Sequence, residues 1–405
     1  MCPTSSSCSP AAAPISLRAK IVAATLLSVV TALVLLAASW ANLLPEAQDR
    51  VLYDWRSYYL TNPTKEQRRD IALVFINEDS LTGYTYLSPI NRGLIAELVR
   101  VIDAAGAKVI GLDLIIDRPT EPPLDQALTD AVRTAKSAKI VQAVFLGKPG
   151  RPQEATFQQA YLTRAGAIPA HLYFASERNR FTLGDQVVRY RIDEGIGDPP
   201  RSSFGWALAE AAGIRLEQPP SNLITWQRLS RGSLDLFPRY IVRPHLSPNG
   251  TRIGDVLSPR ALASLAGKIV LIGGAFTDRD RYLTPWTAAS GERVPGVEVH
   301  AQILAHLIDK RWTFEPAWWW ELPLLVLVGC LGFYAAAHWK MSGSGFAATA
   351  AALIVMIVAG IALYWLNRII LPSASLAGAW SAGLFFGSLS DWGFDRLRRW
   401  GVNIH

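Results

Sequence analysis

Cysteine is scarce in this chain. There are three in 405 residues: Cys2 and Cys8 in a Ser/Pro/Ala-rich leader, and Cys330 in an apolar run near the end. Residues 41–317 contain none, which excludes internal disulfides and a zinc-type cysteine cluster from that stretch. Clustered basic charge is missing too. The chain carries a net +7, but the arginines of residues 41–317 are scattered among a nearly equal number of acidic residues, and a nucleic-acid footprint needs them grouped. Recognised catalytic patterns are also missing. There is no G-x-S-x-G elbow, no H-E-x-x-H pair and no G-x-x-x-x-G-K-[ST] phosphate loop. With no activated nucleophile in view, the chain is not expected to be an enzyme, and no cofactor or metal site is read from it.

What the chain does have is four apolar runs, at residues 21–40, 318–338, 346–366 and 369–389. A bilayer core of about 30 Å takes ~20 apolar residues as helix, and each run has about that length. The expected organisation is a cytoplasmic leader (1–20), a transmembrane anchor (21–40), one large extracytoplasmic domain (41–317), three further spans and a short cytoplasmic tail (390–405). Basic flanks orient it. Arg18 and Lys20 precede the first span, Lys340 lies between the second and third, and Arg396, Arg398 and Arg399 follow the fourth. All share one face, with Arg368 the single dissenting charge. Trp318, Trp319 and Trp320 stand where an interfacial aromatic belt is expected. The small residues Ala37, Ala38, Ser39 and Ala41 permit signal-peptide cleavage, but the first run exceeds the usual 7–15-residue core of a signal peptide, which favours an uncleaved anchor.

The large domain reads as α/β with a mostly parallel sheet. Residues 71–77 (IALVFIN), 108–115 (KVIGLDLI) and 139–146 (KIVQAVFL) are short, nearly continuous apolar runs, the pattern of strands covered on both faces. Between the first two, Asn91 opens a helix with the stripe Leu94, Ile95, Leu98, Val99 and Ile102, ended by Gly106. Leu124, Leu128 and Val132 mark a second helix. Residues 42–70 read as a linking stretch, and residues 147–238 are rich in Pro, Gly and Arg, with one helix at 204–212 stopped by Gly213. Residues 239–243 offer a further strand, and 268–273 (KIVLIG) another buried one. A final amphipathic helix at 297–308 puts His300 on the stripe of Val297, Leu304 and Leu307, where a core role outweighs a ligand role. It leaves His306 off the stripe and solvated.

In open parallel sheets, ligands bind outside the carboxyl ends of the strands. Those ends supply Asn77-Glu78-Asp79-Ser80, Asp113 with Asp117 four residues on, and Gly273-Gly274 followed by Thr277 and Asp278-Arg279-Asp280. Glu78, Asp79 and Asp278 are read as caps or surface residues. Asp113 is the informative one. It sits inside an apolar run, where a buried charge is costly without a partner. Arg92 and Arg281 are the candidate partners, and a ligand is the alternative.

Three motifs in order carry a resemblance. AGAKVIGLDLIIDRP with Asp125 after it, GKIVLIGGAFTDRDRYLTP and PGVEVHAQILAHLI together resemble the second class of CHASE extracellular sensor domains (CHASE-two). The layout of one leading span, a sensor and three trailing spans is similar too. The resemblance implies bacterial signal sensing, usually passed to a cytoplasmic cyclase or kinase. It places Arg92, Asp113, Asp280, Thr284 and His300 on recurring motif positions, as ligand-binding candidates. The strand-one end departs from the family pattern, with Asn77-Glu78-Asp79 where Asp usually follows the strand directly. The tail after residue 389 is short, so the output is expected on a separate polypeptide. The expectation is a sensory receptor of the bacterial inner membrane with an unknown extracytoplasmic ligand. An envelope scaffold protein is the alternative. Gly383 and Gly387, in G-x-x-x-G spacing, offer a homodimer face.

Overall fold

A computed structural model describes residues 17–40, 45–61, 63–145, 152–178, 186–193, 195–197, 199–229, 236–246, 251–287, 290–315, 317–339 and 343–399. The chain divides into two compact units, Met1–Arg56 with Phe314–His405, and Ser57–Thr313. In chain order, α1 (Leu17–Trp40) and α2 (Pro45–Leu60) come first, and α2 occupies most of the expected linking stretch. Then follow β1 (Ile71–Ile76), α3 (Arg92–Ala104), β2 (Val109–Asp113), α4 (Pro122–Arg133), β3 (Lys139–Val144), α5 (Pro152–Ala165) and β4 (Ile168–His171). A hairpin of β5 (Phe174–Arg178) and β6 (Gln186–Arg191) leads to α6 (Phe204–Ala211), β7 (Arg239–Ile241), α7 (Pro259–Ala263) and β8 (Ile269–Gly274). Last come β9 (Arg281–Tyr282), β10 (Val294–Pro295), α8 (Gly296–Ile308), α9 (Trp318–Trp339), α10 (Gly343–Asn367) and α11 (Ser373–Arg399).

The second unit is built on a six-stranded sheet of order β4-β3-β2-β8-β1-β7, parallel throughout. The strands alternate between two dry faces. Ala72, Val74 and Ile76 of β1 pack with α3, α4 and α5. Ile71, Leu73 and Phe75 pack with α6 and α8. This explains the continuous apolar runs, because neither face can be left polar. Local signals hold at the helix ends. Asn91 Oδ1 accepts from the backbone N–H of Gly93 (2.9 Å) and Leu94 (3.2 Å), and Gly106 takes a left-handed φ of 79° after α3.

The sheet order creates a crevice. The chain leaves β2 for α4 on one face, whereas it leaves β8 for α8 on the other. β2 and β8 are neighbours, with Asp113 opposite Gly273 in register. Oppositely directed exits from adjacent parallel strands are the arrangement that opens a binding crevice at the carboxyl edge.

One sequence expectation about helices needs correction here. The last helix of the second unit is not amphipathic. Residues Gly296 to Leu307 are all buried, because α8 packs on the sheet through Val297, Ala301 and Leu304 and on Trp226 and Trp286 through Val299, Ile303 and Leu307. His306 is therefore fully buried, not solvated. Its Nδ1 faces the Thr225 backbone N–H at 3.0 Å, and its Nε2 lies 2.8 Å from Arg191 Nη1.

Of the four expected spans, two are supported by length and composition. In the first unit, two helical stretches among the described residues, Trp319–Ala336 and Ala347–Asn367, are long and apolar enough to cross a membrane. The described apolar stretch of α1, Ala24–Ala37, is shorter. For the fourth run the reason is local. Pro372 sets the start of α11 at Ser373, so Ile369, Ile370 and Leu371 lie outside the helix, with Ile369 bridged to Phe314. What remains of the run is rich in Ser and Gly. Lys340, the basic residue expected between two spans, lies outside the described residues.

Gly383 and Gly387 are used inside the chain. Gly383 abuts the Gly329 carbonyl of α9, and a Cβ on Gly387 would stand 2.8 Å from the Phe333 oxygen. The spacing thus seats α11 on α9, and its small residues are taken up by that contact.

Close backbone approach also shapes the crevice. A Cβ on Gly273 would lie 2.6 Å from Val297 Cβ, a β-branched residue fixed in the first turn of α8. Gly273→Ala is expected to destabilise the fold by about 1–3 kcal/mol through overpacking. Denaturant unfolding of the purified chain checks this, and wild-type stability in the variant would show that α8 can slide.

Candidate functional site

Asp113 ends β2 at the crevice. It is 7 % exposed, and its Oδ2 is buried with no hydrogen-bond partner. Neither arginine considered as its partner serves it. Arg92 pairs with Asp125, Nε to Oδ1 at 3.7 Å. Arg281 turns its Nη1 to the Phe276 carbonyl at 3.3 Å and its Nη2 to the Arg293 carbonyl. Burial, and then the charge of Asp280, push the Asp113 carboxyl well above the usual carboxylate range.

Asp280 comes from the loop that leaves β8. It precedes β9, whose two residues pair antiparallel with β10 immediately before α8. Its carbonyl accepts from the Gly296 N–H at 2.9 Å, and its φ is +52°. That left-handed conformation is uncommon for a residue with a side chain, though Asp tolerates it better than most. The carboxyl is folded back onto the start of α8, so that a Cβ on Gly296 would stand 2.6 and 2.8 Å from its two oxygens. The Asp280 residue is exposed, but its carboxyl is desolvated, and this burial raises it above the usual range despite the opposing effect of the Tyr282 hydroxyl. Tyr282 is in turn pushed up by burial and by the charge of Asp280, with a smaller effect from Asp113.

Of the five sequence candidates, Asp113 and Asp280 lie within electrostatic reach of one another, and Tyr282 lies within reach of both. The other three do different things. Thr284 is buried in a turn, where its N–H donates to Thr287 Oγ1 (3.0 Å) and the two hydroxyls lie 3.2 Å apart. His300 is wedged between Phe174 and Phe204, each with ring centroids at 5.4 Å. Burial, and secondarily the charge of His171, lower it to about 3, so it is neutral at ordinary pH. Arg92 is buried at the head of α3 with Nε and Nη2 unbonded, and burial lowers its pKa against the pull of Asp125. Glu78 closes the neighbouring strand end by accepting from the Thr277 N–H at 2.7 Å. Asp117 lies beside Arg118 at 3.2 Å.

Tyr282 and Gly296 carry no signal of their own in the sequence. Both lie inside the motifs quoted above, and only the long-range fold gives them a role. Chemically, the site offers two carboxyls and a phenol, and among the described residues neither carboxyl forms an ion pair. Among the described residues, no group of three or more His, Cys, Asp or Glu side chains could hold a metal ion.

A family model described as "CHASE2 domain" matches residues 27–336. No curated protein and no solved structure matches this chain.

The contact at Gly296 is directly testable. Alanine is the better helix former, yet its methyl would overlap the Asp280 carboxyl, so Gly296→Ala is expected to cost about 1–3 kcal/mol net. Adding Asp280→Ala should recover most of that loss in a double-mutant cycle. Additive losses instead would mean that the two residues do not touch.

Proposed function

The chain belongs to the CHASE2 domain family, and from that premise we propose that it is a membrane-bound sensory receptor. Its second unit, Ser57–Thr313, is the extracytoplasmic detector. The observation that carries this reading is Asp113, buried at the carboxyl edge of a parallel sheet with an oxygen that has no hydrogen-bond partner. A purely structural fold gains nothing from such a carboxyl, since burying it unpaired costs free energy that an apolar side chain would not.

In this reading the first unit is embedded in the bacterial inner membrane. α9 and α10 supply the two strongly apolar spans. α1 and α11 complete a four-span bundle, α11 through its close contact with α9. The basic residues at 18, 20, 396, 398 and 399 put both ends of the chain in the cytoplasm. The detector joins the bundle at residues 56–57 and 313–314, and a change in the detector reaches the membrane through those joints. For signalling, the signal must favour one of two states of the detector. The output is carried by a separate cyclase or kinase, and the chain itself has no catalytic role.

Affinity purification of the full-length chain from native membranes in mild detergent, read by mass spectrometry, tests this. A cyclase or kinase is expected at stoichiometric yield. Its activity in the recovered complex should lose its signal dependence in Asp113→Ala, with the complex itself intact. Recovery of envelope proteins alone would make the second unit a docking module instead.

A further inference from the structure

We propose that residues 221–229 form a strap that ties the crevice loop to both ends of the second unit, and that its displacement carries a change in the crevice to the two connections with the first unit. The role in signalling rests on the sensor reading above, whereas the strap itself rests on geometry. These residues form neither helix nor strand, yet Leu223, Ile224, Thr225, Trp226 and Gln227 are all buried. A buried segment without regular structure must place its backbone groups on partners elsewhere. Here the partners belong to three parts of the unit.

The first is the exit. Thr313 is the last residue of the unit. Ser221 Oγ donates to its carbonyl at 2.6 Å, and the hydroxyls of Thr225 and Thr313 lie 2.7 Å apart. Just before the exit, the strap is bound to α8. The Gln227 N–H donates to Gln302 Oε1 at 3.1 Å, and Gln302 Nε2 donates back to the Gln227 carbonyl at 2.9 Å. The second part is the entrance. Ser57 is the first residue of the unit, and its carbonyl accepts from Trp286 Nε1 at 3.3 Å. Trp286 packs against Trp226 of the strap, with ring centroids at 6.2 Å. Arg228 lies over the Tyr58 ring at 5.1 Å. Its carbonyl accepts from the Thr64 N–H at 2.8 Å and the Thr64 hydroxyl at 3.0 Å.

The third part is the crevice loop, reached through β6. The Ile224 N–H donates to the Arg189 carbonyl, and the Arg191 N–H donates to the Asn222 carbonyl, both at 2.9 Å. On β6, the Val188 N–H donates to the Leu283 carbonyl, also at 2.9 Å. Leu283 directly follows Tyr282 and the loop that carries Asp280. An unbroken series of hydrogen bonds thus runs from the crevice loop through β6 to the strap, and from the strap to both ends of the unit.

α8 offers a competing route, because it runs from Gly296 at the crevice to Ile308 near the exit. The strap differs from it in gripping the entrance as well. A detector that acts on its membrane unit by shifting two connections relative to each other needs an element that holds both. Contiguous bonding makes such an element physically possible, and coupling is established only by disturbing one end and reading the others.

The test is amide hydrogen exchange of the full chain in detergent, for wild type, Asp280→Ala, Thr225→Val and the double variant. Asp280→Ala disturbs the crevice loop. Thr225→Val keeps the side-chain shape and removes the hydroxyl that faces Thr313. Asp280→Ala should change exchange by about fivefold in the strap and at both ends, residues 57–66 and 306–316. In the Thr225→Val background, the response to Asp280→Ala should shrink at the exit and persist at the entrance. Should either variant fail to fold, Asp280→Asn or Ser221→Ala replaces it. A response confined to residues 276–296 would overturn the proposal. So would a response at the exit alone, or one that Thr225→Val leaves unaltered, since α8 would then be the route. None of these readouts needs a partner protein. A pull-down that recovers only envelope proteins would remove the signalling role and leave the strap standing.

Discussion

A parallel sheet must be dry on both faces, and the rest of the second unit follows from that requirement. Its strands exchange all their hydrogen bonds laterally, and both surfaces are apolar, so helices have to lie on each side. Three of them, α3, α4 and α5, cover one face, while α6 and α8 cover the other. Since β8 sits between β2 and β1, the chain leaves neighbouring strands in opposite directions there. The crevice at Asp113 is a consequence of covering the sheet.

Inside that crevice the usual accounting of buried charge is left open. Elsewhere in the unit a buried ion meets an opposite charge, closely for Arg191 and Asp193 at 2.5 Å and more loosely for Arg92 and Asp125 at 3.7 Å. At Asp113 the neighbouring charge is another carboxyl. Burial raises both groups, and repulsion raises Asp113 further. The backbone contributes as well. Asp280 holds a left-handed φ, and Gly296 and Gly273 leave no room for side chains where α8 meets the loop and the sheet. Strain and uncompensated charge at one place are the features expected where a fold trades stability for responsiveness.

The first unit obeys a different constraint. Its helices α9 and α11 meet where small residues permit close backbone contact. Gly329, Gly332, Gly383 and Gly387 do this between α9 and α11. The same Ser and Gly content that permits the contact makes α11 less apolar than α9 and α10.

Much of this was legible in the amino-acid order. Continuous apolar runs located β1, β2, β3 and β8, and Asn91, Gly106 and Gly213 marked helix ends, because these signals act over a few residues. Carboxylates at strand ends could be named for the same reason. Other features were decided only by tertiary structure. The α5–β6 region lacks strong periodicity and takes its form from its neighbours. His306 is buried because α8 is packed on a second side by Trp226 and Trp286, which lie far away in sequence. Asp113 is not served by either arginine, and the charge that acts on it comes from Asp280, because the order of strands, invisible in any local pattern, places β8 beside β2. Local propensity and periodicity determine which segments become strands and helices, whereas the meeting of distant side chains depends on how those segments are covered and ordered together.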